Sequence, residues 1–267
     1  MKVNNPIMKL RSIGKFFGIL FFTTFLTLLI FSYTFSKFTS FENLNGIVPV
    51  IVKNVFAQSM GNLTEDEINL MISSYCQFEK EFTIPQIDNI LTENISINCD
   101  ELNTENPIET LTEKLFKTVY YQNHSCELVN CLTSGNFIAL ISNKTHQFLV
   151  KLENTLLFLT LLSGGLMLLF IESWPGRLKT LGTILISNGI PLFLLVRFQQ
   201  HLINWVVNKF GYQNVVELII ESLFAPFDYL YKILLLLGAV LLGIGFIISF
   251  YYKPIKKDKR KVKRKKK

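Results

Sequence analysis

The sequence lacks the short motifs that carry most hydrolytic and nucleotide-dependent chemistry. It contains no H-E-x-x-H, no G-x-S-x-G, no phosphate-binding P-loop and no G-x-G-x-x-G. Histidine is scarce, and the scattered His124, His146 and His201 do not supply a nucleophile with a base and an orienting group. We therefore predict a non-enzymatic protein that needs no cofactor.

Charge is missing from one long stretch near the start of the chain. Residues 16–35 form a run without Asp, Glu, Lys or Arg, and a helix of that length crosses a hydrocarbon core of about 30 Å. The run is longer than the apolar region of a cleaved signal peptide, and no clear small-x-small cleavage site follows it. We predict an uncleaved anchor, and a removed signal would leave the orientation of the later segments unchanged.

Three further apolar runs follow, so the sequence predicts an all-α membrane protein with four transmembrane helices. The predicted spans are residues 16–35, 152–171, 178–196 and 230–250. A short loop over residues 172–177 separates the second span from the third, and Pro175-Gly176 predicts a turn in it.

The charges are distributed as a membrane would sort them. Residues 1–15 carry bases and no acid, and the tail over residues 251–267 carries 11 Lys/Arg and one acid. Residues 36–151, in contrast, carry an excess of acids. Because bases stay on the cytoplasmic side, we predict a cell-membrane protein with both termini cytoplasmic and residues 36–151 exterior. A three-span topology would place the basic tail outside.

The exterior segment is too long and too polar for a connector, and it predicts a small, mainly helical domain between the first and second spans. Thr64 and Glu67 have capping-box spacing ahead of a helical apolar pattern, which predicts a helix over residues 65–77. The pattern over residues 134–151 predicts a helix that runs towards the second span. A few strands are an alternative for the remainder.

Two other parts of the exterior segment carry local signals. Asn106 offers an N-cap before Pro107, which predicts a helix over residues 107–121. The apolar run over residues 46–56 is too short to span and contains Pro49, so we expect it on the membrane surface or packed under the domain.

The segment between the third and fourth spans, residues 197–229, carries two short amphipathic patterns. The first ends at Phe210-Gly211, and the second ends before Pro226. We expect two short helices at the outer interface or under the exterior domain, and a re-entrant hairpin is the alternative.

The cysteines all lie in the predicted exterior domain, at Cys76, Cys99, Cys126 and Cys131. An even number in an oxidising compartment predicts two disulfides. We favour Cys76–Cys99 with Cys126–Cys131, because the second pair is close enough to join locally. A metal site that includes His124 is the alternative, although C-x4-C with one histidine lacks the usual zinc spacing.

Asn-x-Ser/Thr triplets occur four times in the predicted exterior segment. They begin at Asn62, Asn94, Asn123 and Asn143. Each is a possible glycosylation site if the segment faces the exterior.

The third predicted span contains Asn188, Gly189 and Pro191, which predict a kink in the helix. The freed backbone groups are either satisfied by neighbouring helices or form part of an ion or substrate site.

Small residues elsewhere in the spans predict close helix approach. They are Gly164 and Gly165 in the second span, and Ala239 and Gly243 in the fourth.

The basic tail predicts a lipid partner. Residues Lys253–Lys267 form a low-complexity run that suits anionic headgroups at the membrane surface. Nucleic acid is a less favoured partner of the same run.

The order of one span, an exterior cysteine-bearing domain and three further spans resembles uncharacterised four-span membrane proteins of archaea. The matching features are Tyr75-Cys76, Cys99-Asp100, Tyr120-Tyr121 with Cys126 and Cys131, and the Lys-rich end. This resemblance covers most of the chain and implies a topology without an activity.

Two functions fit these patterns. The first is a multi-pass membrane protein whose exterior domain binds an unknown protein partner or organises the envelope. The second is a permease-like or accessory subunit of a transporter, because the topology is also similar to permease subunits of the cell-division and macrolide-export type. Their coupling segment between the second and third spans is longer than residues 172–179 of this chain.

Overall fold

The computed structural model describes residues 6–59, 64–84, 95–102, 106–122, 141–210 and 213–251. The helices are α1 (Pro6–Phe38), α2 (Phe41–Ser59), α3 (Glu65–Phe78), α4 (Cys99–Leu102), α5 (Pro107–Tyr121), α6 (Asn143–Phe170), α7 (Trp174–Phe210) and α8 (Gln213–Tyr251). The strands are β1 (Glu81–Ile84) and β2 (Ile95–Asn98).

Four of these helices are long and apolar enough to cross a membrane. The qualifying segments are Arg11–Phe38, Asn143–Phe170, Trp174–Lys209 and Val215–Tyr251. Each predicted span falls on one of them, apart from Ile171, which follows the end of α6. The predicted fold class is therefore confirmed, whereas the side of the membrane on which each segment lies stays a prediction.

The first close helix pair consists of α1 and α6, which approach at glycines. A Cβ atom placed on Gly18 would lie 2.9 Å from the Cα of Met167. One placed on Gly164 would lie 2.9 Å from the ring of Phe22. Without a side chain at these positions the two backbones come close enough for dense van der Waals contact, which drives helix association in lipid.

The second close pair consists of α7 and α8. A Cβ on Gly182 would lie 2.7 Å from the carbonyl oxygen of Gly238, so the two backbones meet there. On α8 the glycines that face α7 are Gly238 and Gly245, whereas a Cβ on Gly243 would meet nothing within 4 Å. The prediction that Gly243 mediates close approach was therefore wrong, because that residue faces away from the neighbouring helices.

Looser contacts join the two pairs. Ile30 of α1 packs with Leu192 of α7 and with Phe227 and Leu234 of α8. The rings of Phe31 and Phe227 meet edge to face, with centroids 5.6 Å apart. The bundle thus consists of two tight pairs that meet through side chains rather than backbones.

The segment over residues 197–229 differs from its prediction. Over residues 197–210 and 213–229 the structure shows the ends of two long helices rather than two short ones: α7 continues unbroken to Phe210, and α8 runs through Pro226. The missing N–H of this proline leaves the Ser222 carbonyl without its usual helical partner. The helix tolerates this because packing holds its flanks: Val216, Ile220 and Phe224 form a core with Ile203 of α7.

The connection between α6 and α7 is also shorter than predicted. Pro175 and Gly176 lie in the first turn of α7 and do not form the turn itself. The Ser173 hydroxyl accepts a hydrogen bond from the Gly176 N–H at 3.2 Å and so caps the helix. A proline is tolerated at this point because the first N–H groups of a helix have no intrahelical partner.

Helices α3, α4 and α5 and the two strands form a small domain, here called the disulfide domain. Its strands are antiparallel, with Glu81 opposite Asn98 and Ile84 opposite Ile95. The buried core is Ile68, Ile72, Ile95, Ile97, Leu102, Ile108 and Leu111. A disulfide joins Cys76 to Cys99 beside this core, with Cα atoms 5.3 Å apart. Closing a loop of this size stabilises a fold by about 3 kcal/mol, chiefly by restricting the unfolded chain.

Local sequence signals account for one helix start in this domain but not for the other. The capping box is present, since the Glu67 N–H bonds the Thr64 hydroxyl and the Glu67 carboxylate bonds the Thr64 N–H. At α5, Asn106 is at the N-cap position, but its side chain accepts no capping bond. Instead, Oδ1 of Asn69 in α3 accepts the Ile108 N–H at 3.0 Å.

Helix α2 connects the disulfide domain to the bundle. It is continuous through Pro49, and its Leu44 packs with Phe116 and Tyr120 of α5. It also contacts α8, where the Ser222 hydroxyl bonds Oδ1 of Asn43 at 3.0 Å. Val48 packs with the same cluster of residues as Leu44, so the first part of the run over residues 46–56 lies against α5.

Candidate functional site

A pocket of about 220 Å³ lies between α1 and α7, where the two tight pairs meet. Its apolar lining consists of Ile30 and Phe31 from α1, and of Pro191, Leu192 and Leu195 from α7. No charged side chain is among its lining residues. The pocket is therefore suited to a neutral and mostly apolar group.

The polar part of the pocket is centred on Asn188, which is only 7% exposed. Its Nδ2 donates to the Ile184 carbonyl at 2.9 Å, and this bond fixes which way the amide points. Its Oδ1 lies 2.7 Å from the Thr27 hydroxyl, which is also 2.9 Å from the Thr23 carbonyl. A hydroxyl has one proton to share between these two acceptors, so Oδ1 retains capacity for a second donor.

Pro191 frees a second hydrogen-bond acceptor next to Asn188, the carbonyl oxygen of Ser187. Pro191 has no N–H, so the Ser187 carbonyl four residues earlier loses its usual helical partner. Among the described side chains, none donates a hydrogen bond to this carbonyl. Ser187 and Asn188 line one wall of an otherwise apolar pocket, and between them they carry acceptors with spare capacity and a hydroxyl.

The pocket lies near the middle of the apolar part of the bundle. On α1 the charge-free stretch runs between Lys15 and Lys37, and Thr27 is close to its centre. On α7 it runs between Lys179 and Arg197, and Asn188 is at its centre. Sites in membrane proteins that bind or move small molecules are commonly found at this depth.

A second feature is an exposed apolar face on α3, here called the α3 face. It consists of Leu70, Met71, Tyr75 and Phe78, with Leu70 69% exposed and Phe78 88% exposed. At 100° per residue, Met71, Tyr75 and Phe78 lie within about 60° of one another, beside the buried Ile68 and Ile72, and Leu70 lies about 80° further round the helix. Large apolar side chains grouped on the surface of a polar domain mark an interaction site.

Acids border the α3 face at both ends. Glu65, Asp66 and Glu67 form the first turn of α3, and Glu79 and Glu81 follow its last turn with Lys80 between them. Hydrogen bonds from the backbone N–H and the hydroxyl of Thr64 lower the pKa of Glu67 and so favour its charged form. The α3 face is therefore apolar with an anionic border.

The structure bears on some of the predicted site residues and not on others. It joins Cys76 to Cys99, which is the favoured pairing. Asn143 begins α6 and is partly buried. Cys126, Cys131, Asn62, Asn94, Asn123 and the tail Lys253–Lys267 lie outside the described residues.

The three residues of the predicted kink site lie on two sides of α7. Asn188 and Pro191 line the pocket, and Gly189 faces α8, where a Cβ would lie 2.9 Å from the Leu235 side chain. Thr27 and Ser187 were missed as site residues. The signal for Thr27 was present in the sequence, since Thr23 and Thr27 are one helical turn apart in an apolar span.

Comparison of the chain with protein-family models, curated proteins and solved structures finds no match.

Proposed function

We propose that this chain is a non-enzymatic multi-pass membrane protein that uses its disulfide domain to bind a protein partner on the exterior side. The observation that carries the proposal is the α3 face, because it exposes Leu70 and Phe78 on a domain that has its own buried core. Burial of four large side chains provides several kcal/mol of association energy, before the entropic cost of binding.

The border of acids indicates the chemistry of the partner. Acids at both ends of α3 repel anionic headgroups and also a second acidic copy of the same domain. They attract a partner with an apolar centre and flanking Lys or Arg residues. The proposed partner is therefore a protein segment that is basic and amphipathic.

The attachment of the domain to the bundle supports a presenting role. Tyr120 of α5 donates a hydrogen bond to the Thr39 carbonyl at the end of α1. Phe116 of α5 also packs with Leu44 of α2, just after the end of α1. Contacts of this kind hold the domain in one orientation, which lowers the entropic cost of binding a partner.

The experiment that tests this proposal is site-specific photo-crosslinking in native membranes. A photoreactive residue replaces Phe78 on the α3 face, and the control replaces Thr118, which is exposed on α5. We expect a defined protein adduct from position 78 alone, attached through a segment rich in Lys or Arg. Adducts only to lipid or to the chain itself, or the same adducts from both positions, would contradict the proposal.

The proposed orientation has its own test, labelling of single introduced cysteines in intact cells. Ser74→Cys places a thiol on α3, and Lys266→Cys places one in the tail. A membrane-impermeant maleimide is expected to label the first and not the second until the cells are opened. Labelling of the tail in intact cells would overturn the topology.

A second candidate function is an accessory or permease-like subunit of a transporter, which the pocket at Asn188 favours. Only residues 171–173 connect α6 to α7, which is short for a segment that couples to an ATPase. The permease-like function is therefore more consistent with a protein that works without ATPase coupling at this loop. Co-purification of an ATPase that crosslinks to Glu172 would contradict this restriction.

A further inference from the structure

We propose that the pocket between α1 and α7 binds a neutral, lipid-soluble molecule with an apolar body and one hydrogen-bond donor, such as a phenol or an aliphatic alcohol. This proposal concerns equilibrium binding alone. Its test is therefore independent of whether the disulfide domain binds a protein partner and of whether the protein transports a substrate.

The polar lining sets the number and type of ligand groups. The Ser187 carbonyl has lost its helical partner to Pro191, and Oδ1 of Asn188 can accept one more hydrogen bond. Both groups accept hydrogen bonds, whereas the Ser187 hydroxyl and the second N–H of Asn188 can donate them. A ligand hydroxyl both donates and accepts, so it suits this lining, and a ligand without a hydroxyl forms none of these bonds.

The apolar lining and the depth of the pocket determine the charge and the lipid solubility of the ligand. No lining residue is charged, and the pocket lies midway between Lys179 and Arg197 on α7. A charged ligand would have to lose its hydration without a counter-ion, which is strongly unfavourable. A ligand that reaches this depth from the bilayer must also dissolve in lipid.

The volume of the pocket limits the size of the ligand. A cavity of about 150 Å³ lined by Leu, Ile and Phe accommodates benzene. The pocket here is larger, at about 220 Å³, so it accommodates a single substituted ring or a short aliphatic chain. Ser187 is exposed and also lines the pocket, so the proposed ligand would enter from lipid beside it.

The test uses two probes of matched shape, 4-fluorophenol and 4-fluorotoluene. The full-length protein in lipid nanodiscs is titrated with each probe, and fluorine NMR separates saturable binding from partitioning into empty nanodiscs. We expect saturable binding of the phenol, at least about tenfold tighter than any binding of the toluene, which corresponds to about 1.4 kcal/mol. Partitioning without saturation, or equal binding of both probes, would overturn the proposal.

Variants locate the binding site. Pro191→Ala supplies an N–H that pairs the Ser187 carbonyl, so phenol affinity is expected to fall about tenfold. Pro226→Ala makes the same change on α8 outside the pocket and is expected to leave the affinity unchanged. Equal effects of the two variants would contradict the assignment of the acceptor.

A second pair of variants tests the location of the site without changing Pro191. Ser187→Trp fills the edge of the pocket from a lipid-exposed position, so it is expected to abolish saturable phenol binding. Ile190→Trp adds the same side chain to an exposed position of α7 that does not line the pocket. Retained phenol binding in Ser187→Trp would show that the probe binds elsewhere.

Discussion

The Tyr120 hydroxyl donates a 3.0 Å hydrogen bond to the carbonyl oxygen of Thr39. This contact joins the last turn of α5 to the corner between α1 and α2, and both residues are buried, Tyr120 being 2% exposed. Because α1 ends at Phe38, the Thr39 carbonyl lies where helical partners run out. A side chain from the disulfide domain supplies the missing donor.

Tyr120→Phe is therefore expected to destabilise the attachment of the domain. It retains the ring contacts with Phe41 and Phe116 but leaves a buried carbonyl unpaired, which costs about 1–3 kcal/mol. Thermal unfolding in detergent should show a lower midpoint. Tyr121→Phe is the matched control, since Tyr121 is 52% exposed, and an equal loss in this control would contradict the role of the hydrogen bond.

The same residue predicts a pH dependence at the alkaline end. Burial, with a smaller contribution from nearby Tyr121, raises the pKa of Tyr120 to about 12 from its ordinary value of 10.0. The folded protein holds this proton more tightly than the unfolded chain does. Its contribution to stability is thus complete below about pH 10 and is lost as the pH rises through 12.

Ultraviolet titration of tyrosinate absorbance measures this directly. The folded protein should show a component that ionises near pH 12, and Tyr120→Phe should lack it. The hypothesis fails if the two titration curves coincide.

Gly182→Ala tests the close approach of α7 and α8. The new Cβ would lie 2.7 Å from the Gly238 carbonyl oxygen and 2.8 Å from the Leu242 nitrogen, so backbone must move. We expect a loss of about 1–3 kcal/mol, read as a lower midpoint of thermal unfolding in detergent. Gly243→Ala, where a Cβ meets nothing within 4 Å, should cost little. The reverse ranking would place the helix contact on the other side of α8.

Asn69→Ala tests the cap of α5. It removes the acceptor for the Ile108 N–H, and Ile108 is 1% exposed, so an unpaired donor would be left in the core. Amide hydrogen exchange over residues 107–121 should quicken by roughly tenfold or more, equivalent to 1–3 kcal/mol. Asn106→Ala is the control, and we expect little change because its side chain makes no capping bond. A larger effect of Asn106→Ala than of Asn69→Ala would show that Asn106 caps α5, as the sequence alone indicates.

The membrane helices and the first helix of the disulfide domain could be predicted because their causes are local. An apolar run crosses a bilayer by length alone, and Thr64 reaches the Glu67 N–H because the two are three residues apart. The Cys76–Cys99 pairing was favoured only because the other two cysteines are close together, and the structure agrees with it.

Tertiary packing decided the features that depend on residues far apart in the chain. Asn69 caps α5 from another helix, and Thr27 meets Asn188 across 161 positions of sequence. Pro226 stays within α8 because the long α7 packs along its flanks. Gly238 rather than Gly243 meets α7 because helix rotation selects one face, and rotation is set by the neighbouring helix rather than by composition.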